Sequence, residues 1–192
     1  VFNEGLDHVR RDPDLDLIRE HPTYLAIVEA AETVARESTR SAVEQWNNKY
    51  GTERYRYQTD ADHRLVYATA LDEYSQLQMR EMLQKQADQM IASLFGKPPG
   101  YDVLIAIPTP ADADKFFKGD DAIGGMYEHR LHRLVSRDIG SSLRHEFFHV
   151  MHYGHMERLG QSHPLWIQEG MASLYVDYDL GNDASITFLP ND

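Results

Sequence analysis

Apolar positions recur along this chain in more than one rhythm, and the rhythm changes from segment to segment. From Pro13 to about Tyr50 it is helical: Leu25, Val28, Ala31, Val34 and Ala35 fall on one face, and Pro22 suits a first turn. A further helix from about Thr39 to Asn48, stopping before Gly51, would make an αα-hairpin. No second copy of this unit follows, so a repeat array is not indicated. Arg54 to Thr69 alternates in places and is rich in Tyr, Val and Thr, which predicts one or two strands with a turn near Asp60–Asp62. Asp72 to Phe95 reads as a long helix, with Tyr74, Leu77, Met82, Met90, Ile91 and Leu94 among its apolar positions, ended by Gly96 and Pro98-Pro99.

Tyr101 to Pro108 is a short β-branched run, the signature of a buried strand. Thr109-Pro110 opens a short helix through Phe117. After the break at Gly124-Gly125, Met126 to Ile139 reads as extended. Ser141 or Ser142 can cap a helix reaching about Leu159, which Gly160 ends. Pro164 opens a last helix through about Tyr178. The order is helices, then β-α-β-α-β, then two helices. It predicts an α+β chain, with an N-terminal helical segment over 1–52 and a mixed domain over 53–192.

Composition narrows the function. Nineteen basic residues stand against 31 acidic ones, a net charge of −12. Nucleic-acid and anionic-membrane surfaces attract basic patches, so neither partner is expected. No apolar run approaches the roughly 20 residues of a membrane span. Cysteine is absent, which excludes disulfides, thiolate zinc sites and cysteine nucleophiles. That absence leaves the compartment open, with an exported location marginally preferred. The chain starts at Val1 and stops at Asp192, and it reads as a piece of a longer protein cut short at its C-terminus.

Histidine then changes the picture. Seven of the ten histidines lie between His129 and His163, a density that asks for a metal or acid–base explanation. In His145-Glu146-Phe147-Phe148-His149 the two histidines are one helical turn apart and can reach one ion. Glu146 lies about 100° round the helix, close enough to act as general base on a metal-bound water. Leu143, Phe147, Val150 and Met151 would anchor the opposite face. A catalytic zinc usually takes three protein ligands. Glu169, on the next helix, is the preferred third ligand, because a reversal at Gly160 and Pro164 would lay that helix beside the first. His155 is the alternative, provided the chain left its helix before reaching it.

His145-Glu146-Phe147-Phe148-His149 followed by Pro164-Leu165-Trp166-Ile167-Gln168-Glu169-Gly170-Met171-Ala172-Ser173 resembles the gluzincin peptidases, in particular their peptidase MA-like branch. The spacer is the 19 residues Val150 to Gln168. The strong motifs cover about residues 141–178. The resemblance implies a zincin-like metallopeptidase domain with a small mixed sheet over an active-site helix pair. It implies zinc bound by His145, His149 and Glu169, with Glu146 as catalytic base. It also implies a peptide or protein substrate that adds to an edge strand near Met126–Ile139. Two departures stand out. Ser173 occupies a position where some gluzincins carry an acidic residue that orients a ligand histidine, which leaves Asp177 as the substitute. The oxyanion donor has local candidates in Tyr175, Tyr153, Tyr178 and Tyr127, with Tyr175 taken as the working choice.

His152 shares the metal face and is expected either to line the pocket or to be a hydrogen-bonded structural residue. His129, His132 and His163 read as structural or rim residues. Arg130, Arg133 and Arg137 could meet a substrate carboxylate or simply sit on a solvated strand. Two competing functions follow: a metzincin-like peptidase with His155 as third ligand, and a non-catalytic scaffold whose N-terminal helices dock a protein partner.

Overall fold

The computed structural model describes residues 13–181 and 186–189. Its helices are α1 (Pro22–Tyr50), α2 (Glu73–Met90), α3 (Pro110–Phe116), α4 (Ser141–Leu159) and α5 (Leu165–Leu174). Five strands form one mixed sheet: β1 (Arg56–Asp60), β2 (Leu65–Thr69), β3 (Val103–Ile107), β4 (Gly125–Glu128) and β5 (Arg133–Ser136), in the order β1-β2-β3-β5-β4. β1 and β2 are an antiparallel hairpin, β2, β3 and β5 run parallel, and β4 closes one edge antiparallel to β5. The α+β class is as the residue pattern predicts.

Strand β3 is buried on both faces, as an inner parallel strand must be. Val103, Ile105 and Ile107 share one core with residues of α2 and α4. Leu104 and Ala106 share another with Ala42, Trp46 and Tyr50 of α1 and with Ala113 and Phe117. The sheet is therefore a middle layer, and the last turns of α1 are part of the domain's packing.

Four predicted elements are corrected. The αα-hairpin is one continuous helix, because no glycine or proline interrupts residues 23–50. Of the apolar face expected for it, Leu25 is exposed, and the side chains of Ala31, Val34 and Ala35 lie outside the described residues. Helix α2 turns only part of the expected set inward. Tyr74 and Leu77 are exposed, as is Leu94 in the short π-helical turn Ile91–Phe95 that follows, whereas Met90 is buried and Met82 and Ile91 pack against the core as expected; Met79, Leu83 and Ala87 are buried as well, together with Gln76 and Gln86. The Gln86 amide is satisfied there, donating to the Arg144 carbonyl and accepting from the Tyr178 hydroxyl, so polarity does not keep it at the surface. Met126–Ile139 is two strands, not one: β4 and β5, joined by a short 3₁₀ turn at His129–Leu131 and reversed by His132 in the left-handed region. Finally, α5 stops at Leu174, and Tyr178–Leu180 becomes strand β6, paired with Ile186–Phe188, β7.

Helix α4 carries His145, Glu146 and His149, and it is seated from both ends. Leu143, Phe147, Phe148, Val150 and Met151 are fully or almost fully buried. Each such side chain stabilises by about 1.5–3 kcal/mol relative to exposure. The N-cap is Gly140, so the expected capping by Ser141 or Ser142 does not occur; both serines lie inside the first turn. Near its other end Gly154 lies against Pro99, where a Cβ would stand 2.8 Å from the proline Cα. The Arg158 guanidinium donates to the carbonyls of Phe95, Lys97 and Pro98. Those contacts tie α4 to the connection between α2 and β3.

Candidate metal centre

His145 and His149 are four residues apart on α4, and both turn Nε2 toward the same point. The two Nε2 atoms are 3.2 Å apart. Glu169, on α5, closes the cluster, with one carboxylate oxygen 3.3 Å from His145 Nε2 and the other 3.5 Å from His149 Nε2. These three residues are a group that could hold a metal ion. A tetrahedral zinc with bonds of about 2.0–2.1 Å requires ligand atoms separated by about 3.3 Å. The observed spacings bracket that value. Three lone-pair-bearing atoms repel one another unless a proton or cation lies between them, and an imidazole–imidazole–carboxylate set is borderline-soft chemistry suited to zinc.

Protonation favours the same use. The His149 pKa is lowered: burial depresses it, Glu169 opposes, and His145 depresses it further. A neutral imidazole is the ligating form. His149 Nδ1 is buried without a hydrogen-bond partner. Asp177, expected as a substitute orienting acid, instead lies 3.7 Å from Arg144, and the Ser173 hydroxyl bonds the Glu169 carbonyl within its own helix.

Glu146 points from α4 to the edge of the sheet. Its Oε2 accepts the backbone N–H of Tyr127 at 2.9 Å. Tyr127 therefore turns its N–H away from β5, and in an antiparallel ladder its carbonyl turns the same way. Burial raises the Glu146 pKa, His145 and the Tyr127 N–H pull it down, and Glu169 pushes it up; the balance is upward. A carboxylate shifted upward from its ordinary range is a stronger base. The approach of β4 requires glycine. A Cβ on Gly125 would lie 2.9 Å from Glu146 Cγ, and one on Gly124 would lie 2.2 Å from Ser142 Oγ. The Gly124-Gly125 pair, read in sequence as a break, is where strand and helix meet.

The sequence-predicted residues thus divide. His145, Glu146, His149 and Glu169 are brought together. Tyr175 is not: its ring is buried against Phe148, Tyr178 and Phe188, its hydroxyl donates to Gln89, and burial pushes its pKa up to about 12. Its place at the end of α5 turns it into the core rather than to the cluster. Tyr178 bonds Gln86, and the Tyr127 hydroxyl faces that of Tyr101 at 3.4 Å. Tyr153 remains. It follows His149 by four residues, its ring lies 6.4 Å from the His149 ring, and it stacks on His129. Burial raises its pKa, and the nearby Glu169 and Glu157 add to that rise.

His155 does not join the cluster of His145, His149 and Glu169. Helix α4 continues unbroken to Leu159, which rotates His155 away to Arg158 and the Phe95 ring. His152 does not line the metal pocket. It is buried against Phe95 and Phe148 and shares a 2.7 Å hydrogen bond with His163. Two of the three arginines make structural contacts: Arg133 pairs with Glu128, and Arg137 braces Asp114 and the carbonyls of Asp120 and Ile123 ahead of β4, while Arg130 is exposed. Sequence reasoning missed the Tyr127 N–H, because backbone groups carry no residue signature.

Comparisons with protein-family models, curated proteins and solved structures returned no match. Among the described residues, no helix is long and apolar enough to cross a membrane.

Proposed function

We propose that this chain is a zinc-dependent peptidase with a gluzincin-like, zincin-type domain, in which His145, His149 and Glu169 hold the metal. The observation that carries this reading is the convergence of the His145 and His149 Nε2 atoms with the two oxygens of the Glu169 carboxylate, at contacts of 3.2–3.5 Å, with Glu146 on the same helix as the two histidines. A zinc held there would supply Lewis acidity, lowering the pKa of a water toward about 7 and polarising the scissile carbonyl. Glu146 would accept a proton from the attacking water on its carboxylate and would return it to the leaving amine. Its raised pKa suits both transfers, and the Tyr127 N–H fixes its orientation. An extended peptide lies along β4, whose Tyr127 carbonyl is turned toward the open edge. Tyr153, rather than Tyr175, donates to the oxyanion.

Glu146→Gln is the decisive variant. It should retain about one zinc per chain by elemental analysis. Peptide hydrolysis should fall by about a hundred- to ten-thousand-fold. Wild-type turnover in that variant would remove Glu146 from the mechanism.

A further inference from the structure

Helix α5 presents a problem of precision. It has ten residues, and only Gln168 and Ala172 are buried. Helices this short are marginal by themselves and need tertiary contacts to hold their place. Pro164, at its N-cap, offers no capping side chain. Leu165, Trp166 and Leu174 face solvent. Yet Glu169, half exposed on this helix, would have to be held to within about 0.5 Å of its position opposite His145 and His149 to complete a ligand set.

One residue in the α4–α5 connection makes three separate ties. His163 Nδ1 lies 2.7 Å from His152 Nε2, across a shared proton. The His163 backbone N–H donates to Met156 Sδ at 3.3 Å. The His163 carbonyl accepts from the Gln168 side-chain amide at 2.6 Å. Two ties therefore run back to α4, one and two turns beyond the ligand His149. The third runs forward to the residue immediately before Glu169. The α4 end of the latch is firm: His152 is 1% exposed, stacked on Phe95 and packed on Phe148. Burial, then His163, His149 and His155, lower the His152 pKa to about 4, so this imidazole is neutral and the link is a hydrogen bond, not a charge repulsion.

We infer that His163 is a positioning residue: the chain His152–His163–Gln168 sets the register of α5 on α4 and so places Glu169 against His145 and His149. This rests on the metal-site reading above. His163 is not itself one of the three clustered residues, and it acts through Glu169.

The test measures zinc affinity by competition with a chromophoric chelator, in parallel with the visible spectrum of the cobalt(II)-substituted protein. His163→Ala should weaken zinc by about tenfold, in the range seen for residues that orient ligands. Cobalt absorption should shift toward that of Glu169→Ala. His163→Asn, whose amide reaches the place of Nδ1, should restore most of the affinity. In a Glu169→Ala background, His163→Ala should cause no further loss. The inference is overturned if His163→Ala binds zinc like wild type, or if its loss persists undiminished without Glu169, which would mean that His163 merely supports α4. Should His163→Ala not fold, as judged by circular dichroism of the metal-free protein, Gln168→Met cuts the same chain from the α5 side. The same Glu169-dependent loss is then expected, and its absence overturns the proposal. A wild-type chain that binds no zinc, or a Glu169→Ala variant that binds it equally well, would instead bring down the metal-site reading itself.

Discussion

Helices α4 and α5 contribute to one cluster but are held in opposite ways. The α4 half is embedded: His149 is 8% exposed at its side chain, and Phe147 and Phe148 beneath it are inaccessible. The α5 half is open: the Glu169 side chain is 50% exposed, and Trp166, one turn before it, is 75% exposed. The proposed metal site would then have two ligands placed by packing and one placed by a few hydrogen bonds. Packing is non-directional and collective, so no single polar contact decides it. Hydrogen bonds are few and directional, so each matters individually.

That contrast can be broken by substitution, and the largest effect belongs to α4. Phe147→Ala should cost about 3–5 kcal/mol of stability, read as a drop in the denaturant midpoint. A loss as small as that of a surface change would mean that α4 is not embedded. Next is the seam between α4 and β4. Gly125→Ala brings a Cβ to 2.9 Å from Glu146 Cγ and should push the strand off the carboxylate. Losing the Tyr127 N–H removes an interaction that lowers the Glu146 pKa, so that pKa should rise further. In the proposed mechanism the base works deprotonated, and the acid limb of the pH–rate profile should therefore move to higher pH. An unmoved limb would detach Glu146 from β4.

The turn between β1 and β2 sharpens the comparison as a polar link remote from the site. His63 bridges Asp60 and Asp88 at 2.9 and 3.0 Å. Burial alone would lower the His63 pKa, but its bonds to Asp88 and Asp60 win and raise it above 6.5. For Asp60, burial pulls upward, while Gln84 and His63 win and hold it below 3.8. The His63 contribution is thus complete below pH 6.5 and lost as pH rises through its raised value. The Asp60 contribution is present above pH 3.8 and lost as pH falls through its lowered value. Thermal unfolding across pH should show the advantage of wild type over His63→Asn shrinking on the alkaline side. A constant difference would sink this assignment. The smallest effect is expected on α5: Trp166→Ala should change stability by no more than about 0.5 kcal/mol by chemical denaturation. A large loss would mean that this helix is better anchored than its exposure indicates.

Much of this was legible in the residues, for reasons that differ by element. The hairpin at Asp60, the buried run Val103–Ile107 and the helix start at Thr109-Pro110 declare themselves through local rules of turn, strand and cap. The pair His145 and His149 with Glu146 is equally local, because helical periodicity alone aligns it. Local rules failed where the deciding partner is distant in sequence. Gln86 is buried since the Arg144 carbonyl and the Tyr178 hydroxyl meet it there, 58 and 92 residues away. Tyr175 and Tyr153 are alike as sequence, and only packing sends one into the core and leaves the other beside His149.

By itself the sequence determined the ligand-bearing face of α4, since four residues make about one turn whatever surrounds them. It also determined the α+β order and the identity of Glu169 as a candidate. The tertiary structure alone decided that Glu169 reaches the histidines and that His155 does not. It likewise decided that β4 delivers a backbone N–H to Glu146, and that His152 and His163 face each other. Those outcomes depend on the angle between α4 and α5 and on the separation of helix from sheet edge. Such distances are set by side-chain volumes and by a glycine's missing Cβ, which act through space and leave no periodic trace along the chain.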